Sequence, residues 1–534
     1  MHTPPLDDRG RIRHTPRQGG EPMDSALEVA TDSGVVRGRR FRNVDLWRTI
    51  PYAAPPVGPL RFRAPEPVSS WPDVLDATRF GYAAHSHRLS SPLGLLKRQL
   101  QDEDCLTLNV CAPSERGGPP RPVLVFIHGG GYFEGTSALP VHNPKALVAK
   151  FGIVLVTINY RLGGLGFVDF SQYATDFQSN LGLRDQVAAL QWVRRNIAAF
   201  GGDPGNVTLW GQSAGGSGVL THLMLPASRG LFHRAIAQSP VPDAVRTPEQ
   251  ATDTARRCIE ALGADAGNAA QVLRDAPATA ITQAAIRVML TAARAVPCQM
   301  SLAPVIDGEF LPEDPTTAIT AGRAERVPLL IGSMGNELGH AGWGPVRQFI
   351  DIVPTTAARV DRMFAATDPA ARERVLAHYP DYPSPAALTR LAGDCFFVRP
   401  MIAVARGHAR HAPTYLYRLD YAPALLRLIG MGAIHATDVP LVFGCEIPAV
   451  RLLTLGGRGH YRAMSDCVQR RWIEFARTGT PGWPSYSDDE AALVIDGPDP
   501  HLVPGLHRSM WEAWQHYAGP QRGQQSSAAH QDSQ

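Results

Sequence analysis

Gly211-Gln212-Ser213-Ala214-Gly215 is a Gly-x-Ser-x-Gly pentapeptide set behind the strand-like run Val207-Thr208-Leu209-Trp210 and ahead of a helix-compatible stretch. A serine on a sharp strand-to-helix turn holds its hydroxyl clear of the backbone, placed to attack a carbonyl carbon. Glycines on either side suit that turn, because its backbone angles are strained and its neighbours close. The pentapeptide alone recurs in glycine-rich chains, so its meaning rests on the partners that the chemistry needs.

Acyl transfer at serine requires a base for the hydroxyl proton, a carboxylate to orient that base, and donors for the oxyanion. His128-Gly129-Gly130-Gly131-Tyr132 follows the run Val123 to Ile127, and its successive glycines leave backbone N–H groups uncovered. Each such donor, aimed at a developing oxyanion, is worth about 10² to 10³ in rate. A phosphate loop is the rival reading, since Gly130 and Gly135-Thr136 have the outer spacing of a Walker A sequence, but the lysine of that motif is absent. A plain flexible turn is the third.

For an elbow serine the expected chain order is serine, acid, histidine, which directs attention downstream. Glu337 ends Gly332-Ser333-Met334-Gly335-Asn336-Glu337, behind the run Val327 to Ile331, and His435 ends Gly432-Ala433-Ile434-His435, in the loop behind Tyr415 to Leu419. A competing acid, Asp307 in Val305-Ile306-Asp307-Gly308, reads better as an Asp-Gly hairpin turn. His435 also fits a structural histidine satisfied in a core. The pairs His85/His87 and His408/His411 have no indicated third ligand, so neither a metal nor any other cofactor is called for.

Residues so far apart converge only if a sheet gathers them. The runs 123–127, 154–159, 207–210, 327–331 and 415–419 alternate with helical patterns, which predicts an α/β fold with a mainly parallel sheet covered by helices on both faces. In such sheets the crevice at the carboxyl ends of the strands is where sites form. Val187, Leu190, Val193, Ile197 and Phe200 recur at three- and four-residue steps, predicting an amphipathic helix over 183–200 that leads into the elbow strand. Between about 340 and 412 the pattern turns helical, which reads as an insertion. One large catalytic domain over 26–518 is expected, with polar low-complexity tails at 1–25 and 519–534 too poor in apolar surface to order themselves; Met23 offers an alternative start.

With 44% hydrophobic and 19% charged residues and a net charge of +3 over 534 residues, the composition is that of a globular protein without a basic field for nucleic acid. No apolar run reaches the length of a membrane span, and Met1 to Glu21 lacks the apolar core of a secretion signal, so a cytoplasmic location is expected. The seven cysteines are odd in number and without C-x-x-C spacing, which reads as reduced packing residues. Partners are expected to be small molecules; oligomeric state is not encoded legibly.

The chain resembles the type B carboxylesterases, the α/β-hydrolase branch that holds bacterial para-nitrobenzyl esterases, animal carboxylesterases and cholinesterases. The likeness runs through Ile50-Pro51-Tyr52-Ala53, Pro55-Pro56-Val57-Gly58 with Arg61-Phe62, and Glu103-Asp104-Cys105-Leu106-Thr107-Leu108-Asn109-Val110. It continues through His128 to Gly131, Asn159-Tyr160-Arg161, Asn180 to Gln186, Phe200 to Pro204, the elbow, and Trp472-Ile473-Glu474-Phe475-Ala476. The resemblance implies Ser213 as nucleophile, Glu337 as triad acid, His435 as base, and the N–H groups of Gly130, Gly131 and Ala214 as the oxyanion hole. It also implies that Arg61 and Glu103 form a structural ion pair.

Four departures from the family pattern stand out. Leu338 and Ala436 occupy places where the family usually has glycine, which bears on loop geometry more than on roles. In secreted relatives the cysteine matching Cys105 bridges an upstream cysteine, but the corresponding place here is Ala84, in keeping with a reducing compartment. Residues 85–104 contain no aromatic residue, which disfavours choline esters. The expectation is a cofactor-independent serine esterase working through an acyl-enzyme on small-molecule esters. Its alternatives are a hydrolase-fold binding or adhesion protein with a dead site, or an acyltransferase or amidase using the same triad.

Overall fold

Alternation along the central strands sorts the interior into two layers. In Arg121–Ile127, Val123, Val125 and Ile127 enter one buried cluster while Leu124 and Phe126 enter the other. Arg234–Gln238 divides the same way, Ala235 and Ala237 against Ile236. A strand whose side chains are buried on both sides reads as a continuous apolar run, which is why Arg121–Ile127 was visible in the sequence.

The computed structural model describes residues 27–86, 99–115, 117–339, 352–486, 489–517 and 519. The expected tails, Gly519 excepted, and the first part of the expected insertion, 340–351, lie outside the described residues. Eleven strands form one sheet, in spatial order His501–Val503, Ala492–Ile495, Thr414–Leu419, Leu329–Met334, Arg234–Gln238, Gly202–Gln212, Arg121–Ile127, Val154–Ile158, Thr107–Pro113, Val44–Pro51 and Arg39–Phe41. From Ala492–Ile495 across to Val154–Ile158 every pairing is parallel. The outer pairings are antiparallel, so the sheet is mixed with a parallel centre.

Helices cover both faces, as predicted. Leu181–Asn196, Ala214–His222, Pro248–Ala261, Ala278–Ala295 and Arg399–His408 bury apolar residues in one layer. Lys145–Phe151, Asp438–Phe443 and Arg458–Thr478 do so in the other. The helix predicted over 183–200 is α-helical over Leu181–Asn196 and tightens to a 3₁₀ turn at Ile197–Phe200, with all five of its spaced apolar residues buried. Described residues 352–412 hold the helices Ala357–Ala366, Ala371–Ala377, Pro385–Gly393 and Arg399–His408, with a π-helical turn at Asp394–Val398.

Two ion pairs anchor motif residues. Arg161 grips the fully buried Asp185 through Nε at 2.8 Å and Nη2 at 2.6 Å. Arg61 donates through Nε to Glu103 at 2.7 Å and through Nη1 to the carbonyls of Leu273, Arg274 and Ala276, joining three distant segments.

Asp307 is a correction. No hairpin forms at Asp307-Gly308; the carboxylate instead accepts from Asn180 Nδ2 at 2.8 Å, the Ser179 hydroxyl, and the N–H groups of Glu309 and Leu311. Local Asp-Gly chemistry gave way to a tertiary capping role. All seven cysteines are buried free thiols, and no described helix is long and apolar enough to cross a membrane.

Candidate active site

Ser213 stands between the strand Gly202–Gln212 and the helix Ala214–His222 at φ 57°, ψ −126°. That is a costly conformation for a side-chain-bearing residue, held here by its surroundings. Its N–H donates to Gln238 O at 2.8 Å, and its C=O accepts from Ser217 N–H at 2.9 Å. Gly215 shows why the second glycine is needed: a Cβ there would stand 2.1 Å from Ile127 O and 2.8 Å from His128 O. The helix start is thereby packed directly onto the strand end that opens the glycine loop.

The loop itself meets the elbow. A Cβ on Gly129 would lie 2.6 Å from Gln212 O and 2.9 Å from Ser213 Cβ, so loop and serine are in van der Waals contact. Gly130 and Gly131 adopt φ of 117° and 59°. Among the described residues the N–H groups of Gly130, Gly131 and Ala214 donate to no protein acceptor. Ala214 is the first residue of its helix, where such N–H groups are left over by geometry and carry partial positive charge. His128 braces the loop: its Nδ1 lies 2.8 Å from Gly129 O, its ring stacks on Tyr160, and the Tyr160 hydroxyl donates to His128 O at 2.7 Å. Burial lowers the His128 pKa to about 4, so the ring is neutral near pH 7.

Glu337 follows the strand Leu329–Met334 and is buried. Its Oε1 accepts from Met334 N–H at 2.8 Å, and its Oε2 pairs with His435 Nδ1 at 2.6 Å. Backbone bonds tie the two loops together, His435 N–H to Glu337 O at 3.1 Å and Asn336 N–H to Ala433 O at 3.0 Å. On the far side of the imidazole, Nε2 lies 3.2 Å from Gln212 Nε2, the side chain immediately before Ser213. A carboxylate at Nδ1 and an amide donor at Nε2 both select the tautomer with the proton on Nδ1, leaving Nε2 basic. Among the described contacts no hydrogen bond joins Ser213 Oγ to His435. Such links commonly close only when substrate is bound.

Several residues around the site were missed by sequence reasoning. Gln238 donates to buried Asp438 Oδ2 at 2.6 Å and accepts from the Trp210 indole, bridging the elbow strand to the helix that follows His435. Burial first, and then the Glu337 charge, push the Asp438 carboxyl up to about 6. Phe397, in the π-helical turn, packs its ring on His435 with centroids 4.6 Å apart. Only Asp438 carried a signal, an acid three residues beyond the candidate histidine. Ala436, one of the departures from the family pattern, sits at φ 67°, where glycine would be free of strain; alanine costs about 1–2 kcal/mol there.

Comparison with known proteins agrees with this architecture. The signature of the carboxylesterase family matches residues 25–496. The para-nitrobenzyl esterase of Bacillus subtilis (strain 168) is 36% identical over 474 residues, covering 88% of this chain and 94% of the relative. An acetylcholinesterase of Bungarus fasciatus is 30% identical over 92% of this chain and 86% of its own length, and a cocaine esterase of Oryctolagus cuniculus 32% over 94% and 98%. Among solved structures, a PNB esterase superposes with a TM-score of 0.82 at 33% identity, covering 92% of this chain and 99% of that one. The Geobacillus stearothermophilus carboxylesterase EST55 gives 0.77 at 32% identity, covering 91% and 100%. With a parallel sheet delivering an elbow serine, a glycine loop and a histidine–carboxylate pair to one edge, the chain belongs to the carboxylesterase family and is a carboxylic-ester hydrolase of the α/β-hydrolase fold.

Proposed function

We propose that Ser213, His435 and Glu337 are the nucleophile, base and acid of this esterase, and that the N–H groups of Gly130, Gly131 and Ala214 form its oxyanion hole. Ser213 Oγ attacks the ester carbonyl while its proton passes to His435 Nε2, and the Gln212 amide yields that nitrogen. The three N–H groups hold the tetrahedral oxyanion, and Glu337 stays ionised against the imidazolium. His435 then protonates the leaving alkoxide, giving an acyl-enzyme. Water, losing a proton to His435, releases the acid, and Ser213 recovers its proton.

The observation that carries this reading is the 2.6 Å His435–Glu337 contact lying behind an elbow serine whose Cβ is in contact with the triple-glycine loop. Ser213→Ala tests it. The variant should melt as the parent does and lose covalent labelling by a fluorophosphonate; continued labelling at another serine would overturn the assignment. The same reading takes residues 26–518 as one catalytic unit with a helical insertion over about 340–412, acting in the cytoplasm, where free buried thiols such as these persist.

A further inference from the structure

Glu134 lies on the glycine loop, four residues past Gly130. Its N–H donates to Gly130 O at 3.0 Å, and its Cγ is 3.0 Å from where a Gly130 Cβ would stand. The acidic side chain therefore rests on the peptide unit to which the mechanism assigns an oxyanion donor. It is half-buried, and among the described residues no hydrogen bond or ion pair reaches its carboxylate. Burial alone pushes that carboxyl up to about 8, with no neighbouring charge contributing. A carboxylate that has lost part of its hydration gains from a cationic partner, because desolvating an unpaired charge is expensive.

We propose that Glu134 is a specificity-determining residue that receives a protonated amine on the substrate, so that the enzyme favours esters carrying an ammonium group close to the scissile bond; this rests on Ser213, His435 and Glu337 being the catalytic site. An N–H-bearing ammonium suits it better than a quaternary one. A carboxylate rewards N–H donors with charge-assisted hydrogen bonds, whereas a quaternary nitrogen asks for an aromatic face. Such a face is not offered by residues 85–104, which contain no Phe, Tyr or Trp. Raised to about 8, the carboxyl is largely protonated near neutral pH in the free enzyme, and arrival of the cation would drive off that proton, leaving Glu134 ionised against its counter-charge.

The test compares kcat/KM near neutral pH for cationic esters and their carbon isosteres. Dimethylaminoethyl acetate is set against isopentyl acetate, and ethyl dimethylaminobutyrate against its all-carbon analogue, so that either side of the ester bond can carry the charge. In Glu134→Gln the cationic-to-neutral ratio should fall about tenfold in at least one pair, roughly what losing one charge-assisted bond predicts. Glu134→Asp, which keeps the charge, should retain most of the preference. A ratio within twofold of the parent in both pairs, for a variant that melts normally, would overturn the proposal, as would a parent preference for acetylcholine over the dimethylamino ester. Hydrolysis of isopentyl acetate by Ser213→Ala would instead refute the site assignment, so the two failures are distinguishable.

Discussion

Replacing Glu337 by glutamine removes a charge while keeping shape, and the groups around the side chain dictate the consequence. Both carboxylate oxygens are committed, Oε2 to His435 Nδ1 at 2.6 Å and Oε1 to Met334 N–H at 2.8 Å, and the side chain is only 1% exposed. Glutamine offers one acceptor and one donor to two groups that both donate. If its oxygen stays on Met334, its NH₂ faces Nδ1, and the imidazole proton must move to Nε2. On the proposed mechanism that tautomer cannot take a proton from Ser213, and the comparable change in a Ser-His-Asp triad costs about 10⁴ in kcat. If the amide flips, the productive tautomer survives, but two buried donors then face each other at Met334. That arrangement costs about 1–3 kcal/mol, a factor of about 5 to 150, before the lost charge on the imidazolium is counted. The cheaper route sets the residual activity, so kcat on a p-nitrophenyl ester should fall between about 10² and 10⁴, with KM little changed. Steady-state rates normalised to folded enzyme measure it. A loss under tenfold would mean that Glu337 does not hold the base.

Two other groups, one beside the site and one away from it, give outcomes of their own. Asp438, raised from 3.8 to about 6, binds its proton more tightly folded than unfolded, so its favourable contribution is complete below about pH 4 and lost as pH rises through 6. Asp438→Asn, which keeps an acceptor for Gln238, should gain stability over the parent by up to about 3 kcal/mol above pH 6 and little at pH 4; urea midpoints at the two pH values check this, and an equal shift at both would contradict it. Arg61→Ala leaves Glu103 and three carbonyls unpaired under only 11% exposure of the arginine side chain. It should destabilise by about 3 kcal/mol without altering the pH profile of ester hydrolysis, and an unchanged melting temperature would show the pair to be idle.

The features that could be read from the sequence divide from the rest along physical lines. The elbow and the triple glycine were legible because their backbones tolerate almost no side chain, as the 2.1 Å approach at Gly215 makes plain. The central parallel strands were legible because burial on both faces demands unbroken apolar runs. Val44–Pro51 and Arg39–Phe41 were not, since Asp45, Arg48 and Arg39 to Arg40 interrupt any such run, and these segments are strands only through pairing with Thr107–Pro113 and with each other. Arg234–Gln238 was too short and alanine-rich to stand out, although it lies directly between the serine strand and the acid strand. Gln238 and Phe397 owe their places wholly to tertiary contact: one lies in register with Gln212 on the neighbouring strand, the other is turned onto His435 by a π-helical turn.

Ala436 shows how little a local departure disturbs the site when contacts over-determine it. The residue after the candidate base keeps a left-handed backbone at φ 67° despite its Cβ. Against that strain of about 1–2 kcal/mol stand the His435 N–H bond to Glu337 O, the imidazole–carboxylate contact and the Asn336 bond to Ala433 O, all closing the same two loops. At a net value of about 1 kcal/mol each, with more for the charged one, three bonds outweigh one strained residue. The geometry of the histidine loop is therefore set by its coupling to the acid loop, and the glycine that relatives favour at this position relieves strain without being what directs the imidazole.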